Sequence, residues 1–314
     1  MPELPEVETI RRQLAPHVEG RTIVGARILD PRWTRPDPPA AVEAELQGAV
    51  VERLSRAGKY LVWSLSGDRF LIQHLRMTGT LLYDPTIAPP HTHVIFDFDD
   101  GHRLVYVDPR RFGTGHLIHG EIARDEYLTT RIGVEPMTPE FTAAHLRELA
   151  RGRTAPVKAF VLDQRRIAGV GNIYADEALF RARIHPLRPA GRLTGADWER
   201  VRDGIEEALR AGIAAKGASI DDFRHVDGAR GSFQDQFLVH RRAGEPCPAC
   251  GQEIRKIVVG GRGTYVCERC QPKPRTRATG ATPRAHAASA TPRARASSAT
   301  PRARASSATP RGAR

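Results

Sequence analysis

The first eight residues, Met1-Pro2-Glu3-Leu4-Pro5-Glu6-Val7-Glu8, hold a combination with its own chemistry. A small residue after the initiator favours removal of Met1, and Pro2 is then left with a free secondary amine. When such an amine adds to a sugar C1′ or an aldehyde, the iminium formed has no N–H proton to lose. The cation then serves as an electron sink for eliminations. Glu3 and Glu6 are close enough along the chain to move protons for it. Taken alone, the octapeptide reads equally well as an acidic, proline-containing start to an ordinary helix. A second set lies near the other end. Cys247-x-x-Cys250 and Cys267-x-x-Cys270 are separated by sixteen residues, a spacing that predicts one structural zinc ion. Four thiolates leave no open coordination position, so the metal is assigned no catalytic part.

These groups need elements to hold them. Pro5 suits the first position of a helix, where its missing N–H is not needed. Val7, Ile10 and Leu14 repeat with helical spacing, and Pro16 is expected to close the run. The positive end of that helix would face Pro2 and disfavour its protonated form. Strand-like sequence follows at 22–30, 49–54, 59–65, 69–75, 78–83, 93–98 and 103–107. Asp99-Asp100-Gly101 between the last two is a hairpin signal. Residues 1–134 therefore read as a β-sandwich with flanking helices. From 135 to 237 the pattern turns helical. Helices are expected over 138–150, 155–163 and 172–182, the last with Asn172 as its cap. Another starts at Thr194, with Trp198, Val201, Ile205, Leu209 and Ile213 as its apolar stripe and Gly217 as its stop. The Gly- and Asp-rich stretch 218–237 reads as a mobile loop. Residues 238–271 form a zinc finger whose hairpin turns at Gly260–Gly263. The fold class is α+β.

At 314 residues the chain has length for two cores. It has no run of 18 apolar residues and no secretory leader, and its cysteine usage suits a reducing interior. The formal net charge is +12. Ten positive groups and no acid fall within 271–314, which leaves +2 for residues 1–270. A nucleic-acid partner must therefore be met by a local face of the folded body. Residues 272–314 repeat Ala-Thr-Pro-Arg with a period of nine and hold no large apolar side chain. They are expected to be a disordered basic tail that adds non-specific phosphate attraction.

Six segments in order resemble the bacterial formamidopyrimidine-DNA glycosylases. They are Met1–Arg12, Ala57–Leu61 (AGKYL), His74–Gly79 (HLRMTG), Asp108–Gly113 (DPRRFG), Gly169–Asp176 (GVGNIYAD) and the four cysteines. The resemblance runs from Met1 to about Gln271. It implies a monomeric base-excision enzyme that removes 8-oxoguanine and formamidopyrimidines from damaged duplex DNA. It also implies cleavage of the abasic site by β,δ-elimination through a Schiff base on Pro2. Glu3 would donate and shuttle protons, and Glu6 would support the site. Lys59 would serve β-elimination, and Arg262 would serve δ-elimination and grip phosphate. His74, Lys59 and Asn172 match phosphate contacts, and His91 and Arg110 match DNA-binding positions. Gly152 stands where a DNA-contacting lysine is frequent, with Arg151 and Arg153 flanking it, and Arg153 is taken as the DNA-binding candidate there. Residues 155–180 match a helix–two-turn–helix element. A base must leave the stack to be attacked. Met77 and Phe112 suit the gap it leaves, and Arg110 suits the orphaned partner base. Val239-His240-Arg241-Arg242 stands where Val-Tyr-Gly-Arg is common, and Asp221-Asp222 stand where a basic residue is frequent. An endonuclease VIII-like enzyme and a non-catalytic zinc-ribbon protein are the competing readings. The Leu4–Val7 start and the Met77, Arg110, Phe112 set argue against the first, and a free Pro2 amine would be idle in the second.

Overall fold

A computed structural model describes residues 2–87, 89–220 and 223–274. The basic tail from Arg275, together with Asp221 and Asp222, lies outside the described residues.

Helix α1 (Leu4–Val18) opens the chain, with Glu3 as its N-cap. The Glu3 N–H donates to the Glu6 carboxylate at 2.8 Å, the returning half of a capping box. The helix does not close at Pro16. A proline in the last turn forgoes a single ladder bond, and burial of Ala15 and Val18 holds the turn until the Glu19 N–H caps on the Ala15 carbonyl.

Two four-stranded antiparallel sheets follow. One has the order β1 (Ile23–Ile28), β6 (Thr92–Phe98), β7 (Arg103–Val107), β5 (Thr80–Tyr83). The other has the order β2 (Val51–Ala57), β3 (Tyr60–Leu65), β4 (Arg69–His74), β8 (Thr114–His119). Val7, Ile10 and Leu14 of α1 share one core with Leu54 and Trp63 of one sheet and Phe96 and Tyr106 of the other. Helices α2 (Pro39–Leu46) and α3 (Glu121–Thr129) flank this sandwich. Strand β8 and both helices carry no periodicity strong enough to announce them in the sequence.

A second core is built by α4 (Ala143–Ala150), α5 (Val157–Leu162), α6 (Asn172–Arg181) and α7 (Gly195–Ala214). Thr194 caps α7 in a reciprocal box with Asp197, as its spacing predicts. Where α6 meets α7, a Cβ at Gly204 would lie 2.5 Å from the Ala178 carbonyl. Asn172 is not a cap. Gly171 takes that position in extended backbone and Asn172 starts the helix, which frees its side chain for a longer-range contact. The third unit is the hairpin β9 (Arg255–Val259) and β10 (Arg262–Val266), joined by Gly260 and Gly261, both at positive φ. A two-residue turn of that kind matches strand twist. Arg262 is therefore the first residue of β10, paired with Val259, and not part of the turn.

The 218–237 segment is tied at many described points. Phe223 and Val226 are buried in the core of the sandwich. The Tyr83 N–H donates to the Val226 carbonyl and the Thr80 hydroxyl to the Arg224 carbonyl, each at 2.9 Å.

Candidate active site

The amino-terminal end of α1 meets the amino-terminal end of α6. The Leu4 N–H donates to the Gly169 carbonyl at 3.0 Å. The Glu3 carboxylate accepts from the Ile173 N–H at 3.1 Å and from the Tyr174 N–H at 3.4 Å. These are first-turn amides of α6, so the Glu3 side chain satisfies two of that helix's unpaired N–H groups. The glycines of Gly169-Val170-Gly171 permit the approach. A Cβ at 171 would lie 2.2 Å from the Glu3 carboxyl carbon, and one at 169, where φ is +80°, would lie 2.7 Å from the Leu4 Cβ. Pro2 is buried beside this junction.

Glu6 is fully enclosed and accepts from the Tyr174 hydroxyl and the Ala218 N–H, each at 2.8 Å, besides the Glu3 N–H. Burial, and then the Glu3 charge, push its carboxyl upward, and the three donors oppose the shift. Lys59 is the second residue of the two-residue β2–β3 turn, after Gly58, and is 5 % exposed. Burial pushes its ammonium down, while Glu3 and Glu6 favour its charge and Arg262 disfavours it. The turn is held from across the molecule. The Gly58 N–H donates to Glu135 at 2.8 Å, and Arg56 donates to the Gly58 carbonyl at 2.9 Å while bridging Glu8 and Glu135.

His74 ends β4. Its Nδ1 accepts from the Arg76 N–H at 2.9 Å, so the neutral ring carries its proton on Nε2. Burial, then Arg76 and Lys59, lower its pKa from 6.5 to about 3. The folded protein thus refuses a proton that the unfolded chain takes up as pH falls through 6.5. Stability supplied by the neutral ring is full above that value and is lost progressively as pH falls toward 3. Between pH 7 and pH 5 this loss is about 2 kcal/mol. We expect His74→Gln to lose about 2 kcal/mol less than the parent over that interval, read from denaturant melts at both pH values.

Glu3, Met77, Asn172, Ile173, His240 and Arg262 line one cleft of about 160 Å³, closed by Ala218, Ile220 and Phe223. Of the sequence-predicted catalytic and phosphate-contacting groups, Glu3, Asn172 and Arg262 line this cleft, whereas Pro2, Glu6, Lys59 and His74 are not among its lining residues. Several residues that hold the cleft carry no sequence signal of their own. Lys158 is fully buried, and its ammonium donates to Asp176 and to Thr264 at 2.7 Å and to the Gly263 carbonyl at 3.2 Å. The Asn172 amide donates to the same Gly263 carbonyl at 3.0 Å. Asp176 also pairs with His240 Nδ1 at 2.8 Å. Glu177, likewise buried, accepts the Leu238, Val239 and His240 N–H groups. Two adjacent acids on α6 therefore anchor the approach to the zinc hairpin and the strand bearing Arg262. Acid pairs in a helix normally read as solvated surface, which is why their pattern says nothing of this role.

Arg110 and Phe112 lie on the β7–β8 loop, outside the residues lining that cleft. The Arg110 guanidinium sits 4.9 Å from the centre of the Phe112 ring, and Phe112 is 52 % exposed. His91 is exposed at a φ of +64°, and its carbonyl accepts the Asp108 N–H at 3.0 Å. Arg153 is exposed after α4, with its carbonyl accepting the Gly191 N–H at 2.9 Å.

The four cysteine sulfurs lie within 4.8 Å of one another, with Cys247–Cys270 at 3.8 Å and Cys250–Cys267 at 3.5 Å. Tetrahedral zinc with bonds of about 2.3 Å spaces its sulfurs about 3.8 Å apart. The donor set fits one zinc ion.

Three family models match in chain order: the formamidopyrimidine-DNA glycosylase N-terminal domain over 1–115, its H2TH domain over 132–224, and the zinc finger found in FPG and IleRS over 244–273. A formamidopyrimidine-DNA glycosylase from Symbiobacterium thermophilum is 47 % identical over 87 % of this chain and 90 % of its own length. One from Chloroflexus aggregans is 46 % identical over 86 % and 98 %. The chain belongs to the formamidopyrimidine-DNA glycosylase family. It is a DNA glycosylase of base excision repair with a structural zinc finger. Among solved structures, a Lactococcus lactis FPG variant bound to Fapy-dG containing DNA aligns with a TM-score of 0.81, at 38 % identity over 87 % of this chain and 100 % of that one. The Thermus thermophilus MutM (FPG) protein aligns with a TM-score of 0.78, at 39 % identity over 87 % and 100 %. Among the described residues, no helix of this glycosylase is long and apolar enough to cross a membrane.

Proposed function

We propose that this glycosylase is bifunctional, releasing oxidised purines from duplex DNA and then cleaving the abasic strand. The observation that carries the reading is the joint burial of Pro2, Glu3, Glu6 and Lys59 at the meeting of two helix N-termini. With Met1 removed, the Pro2 lone pair adds to C1′ while the glycosidic bond breaks toward the base, which leaves with a proton. Ring opening with a proton from Glu3 on O4′ gives the iminium. Loss of a C2′ proton then expels the 3′ phosphate, and loss of a C4′ proton expels the 5′ phosphate.

Lys59 serves the first elimination, and Arg262, which lines the cleft, serves the second. The neutral His74 donates from Nε2, and Asn172 and Lys59 join it, at the phosphates of the extruded nucleotide. Met77 and Phe112 fill the vacated stack and Arg110 meets the partner base. His91 and Arg153 contact the backbone. Borohydride reduction on an abasic duplex tests the chemistry, because reduction of an iminium leaves a stable protein–DNA crosslink. A crosslink through Pro2 is expected. Its absence under conditions where the strand is cut would reject the Schiff base.

Unstacking a base costs a few kcal/mol, so Ala at Met77, Arg110 or Phe112 should slow release of 8-oxoguanine by about 10- to 100-fold. Cleavage of a preformed abasic site, with less stacking to overcome, should slow far less. Equal losses on both substrates in single-turnover assays would refute the wedge.

A further inference from the structure

Asp108 is a fully buried carboxylate, and each partner described for its oxygens is a neutral donor. It is saturated with them. Oδ1 accepts from the Thr78 hydroxyl and from the Arg110 N–H at 3.2 Å. Oδ2 accepts from the Phe112 N–H at 2.9 Å, the Gly113 N–H at 2.8 Å and the Tyr106 hydroxyl at 3.2 Å. Its own backbone is fixed as well, with the N–H on the His91 carbonyl at 3.0 Å and the carbonyl against His93 Nε2 at 2.8 Å. Burial, and then the Asp108 charge, hold the Tyr106 phenol well above its usual range, so it stays a donor.

The surroundings leave no slack. A Cβ on Gly113 would lie 1.7 Å from the Tyr106 oxygen, and one on Gly79 would lie 2.5 Å from it. The loop bearing Phe112 and the segment bearing Met77 therefore close on the same Tyr106–Asp108 pair. Met77 joins it through its neighbour Thr78, and Arg110 and Phe112 join it through their own amides.

We propose that Asp108 is the positioning residue of the wedge, setting Met77, Arg110 and Phe112 as one rigid unit before DNA arrives. The inference rests on the wedge reading given above. It requires a carboxylate in particular, because both oxygens must accept. After Asp108→Asn, an NH₂ would face either the Thr78 hydroxyl and Arg110 N–H or the Phe112 and Gly113 N–H groups. Toward Phe112 and Gly113, donors would then meet donors. Toward Thr78 the hydroxyl can turn to accept, but the Arg110 N–H loses its carboxylate acceptor, so the loop's hold is weakened either way. A loss of about a hundredfold from a misplacement of about 1 Å is the scale for such groups.

The test is a double-mutant cycle between Asp108→Asn and Phe112→Ala, read by single-turnover excision from an 8-oxoguanine duplex and by cleavage of a preformed abasic duplex. Asp108→Asn should slow excision by about 10- to 100-fold, with a much smaller loss on the abasic duplex. The double variant should be little slower than Phe112→Ala alone, since the two changes remove one device. The same variants should blunt the fluorescence rise of 2-aminopurine placed opposite the lesion, a signal of unstacking that a loss of folded fraction cannot reshape. Should Asp108→Asn fail to fold, Tyr106→Phe removes one donor, keeps the ring and should show the same preference at smaller size. Additive losses, or equal losses on both substrates, overturn the proposal. If Phe112→Ala itself shows no preference, the wedge reading falls and this proposal falls with it.

Discussion

A protein that keeps any residue in front of Pro2 should release 8-oxoguanine at least roughly 10³-fold more slowly than the processed form, because its nucleophile is an amide. Pro2→Gly should fall in the same direction. Its primary amine has lost the ring that fixes the lone pair, although Glu3, Glu6 and Lys59 stay where they are. Binding to an abasic duplex should survive in both, since His74, Asn172 and Arg262, the groups we propose for the phosphates, are untouched. The measurement is single-turnover base release beside equilibrium binding, with the N-terminus verified by mass. Undiminished release from a blocked chain would place the nucleophile elsewhere, with Lys59 the first residue to try.

Cys267→Ser should lose zinc and, with it, duplex affinity by about 100-fold or more. The reasoning starts from how little else holds the hairpin. Its buried cluster comprises Phe180, Val239, Cys247, Ile254 and Cys267, too few groups to fold β9 and β10 unaided. Structural zinc supplies about 10–16 kcal/mol to such small units. Without the metal, Thr264 and the Gly263 carbonyl leave Lys158, and its ammonium keeps only Asp176 in the interior. Damage should therefore spread from Arg262 into α5 and α6. Metal content by mass spectrometry and duplex binding by anisotropy decide the matter. Full affinity in the metal-free protein would show that the hairpin stands without zinc.

What the sequence discloses differs between kinds of residue. The cysteines are legible because a metal site needs four ligands at short, fixed spacings. The start of α1 is legible because the signal of Pro5 is local; the Glu3–Glu6 capping box is equally local but is read only from the structure. Lys158, Asp176, Glu177 and Asp108 are not. Each is a charged residue whose burial depends on partners from separate segments, as Lys158 on Thr264, and local spacing says nothing of such meetings. The Asn172 misreading has the same origin. A polar residue at a helix start looks like a cap, yet its amide is spent on a carbonyl 91 residues away. Pro16 misleads in the opposite sense, since a local breaker is overruled by tertiary burial. Strand β8 is hidden because Thr114–His119 draws its order from pairing with β4 and not from its own alternation.

Phe223 and Val226 have a consequence for how this chain can be divided. They belong to the helical part of the sequence, yet their side chains complete the core of the sandwich, and their backbone takes up the Tyr83 N–H. A gene cut near residue 134 would yield an amino-terminal fragment with two missing plugs and an unpaired strand edge at β5. Such a fragment should expose apolar surface and aggregate. Supplied in trans as a short peptide, 223–230 would be the natural complement for it, and enzymes assembled from swapped halves of relatives would need that strap to come from the sandwich donor.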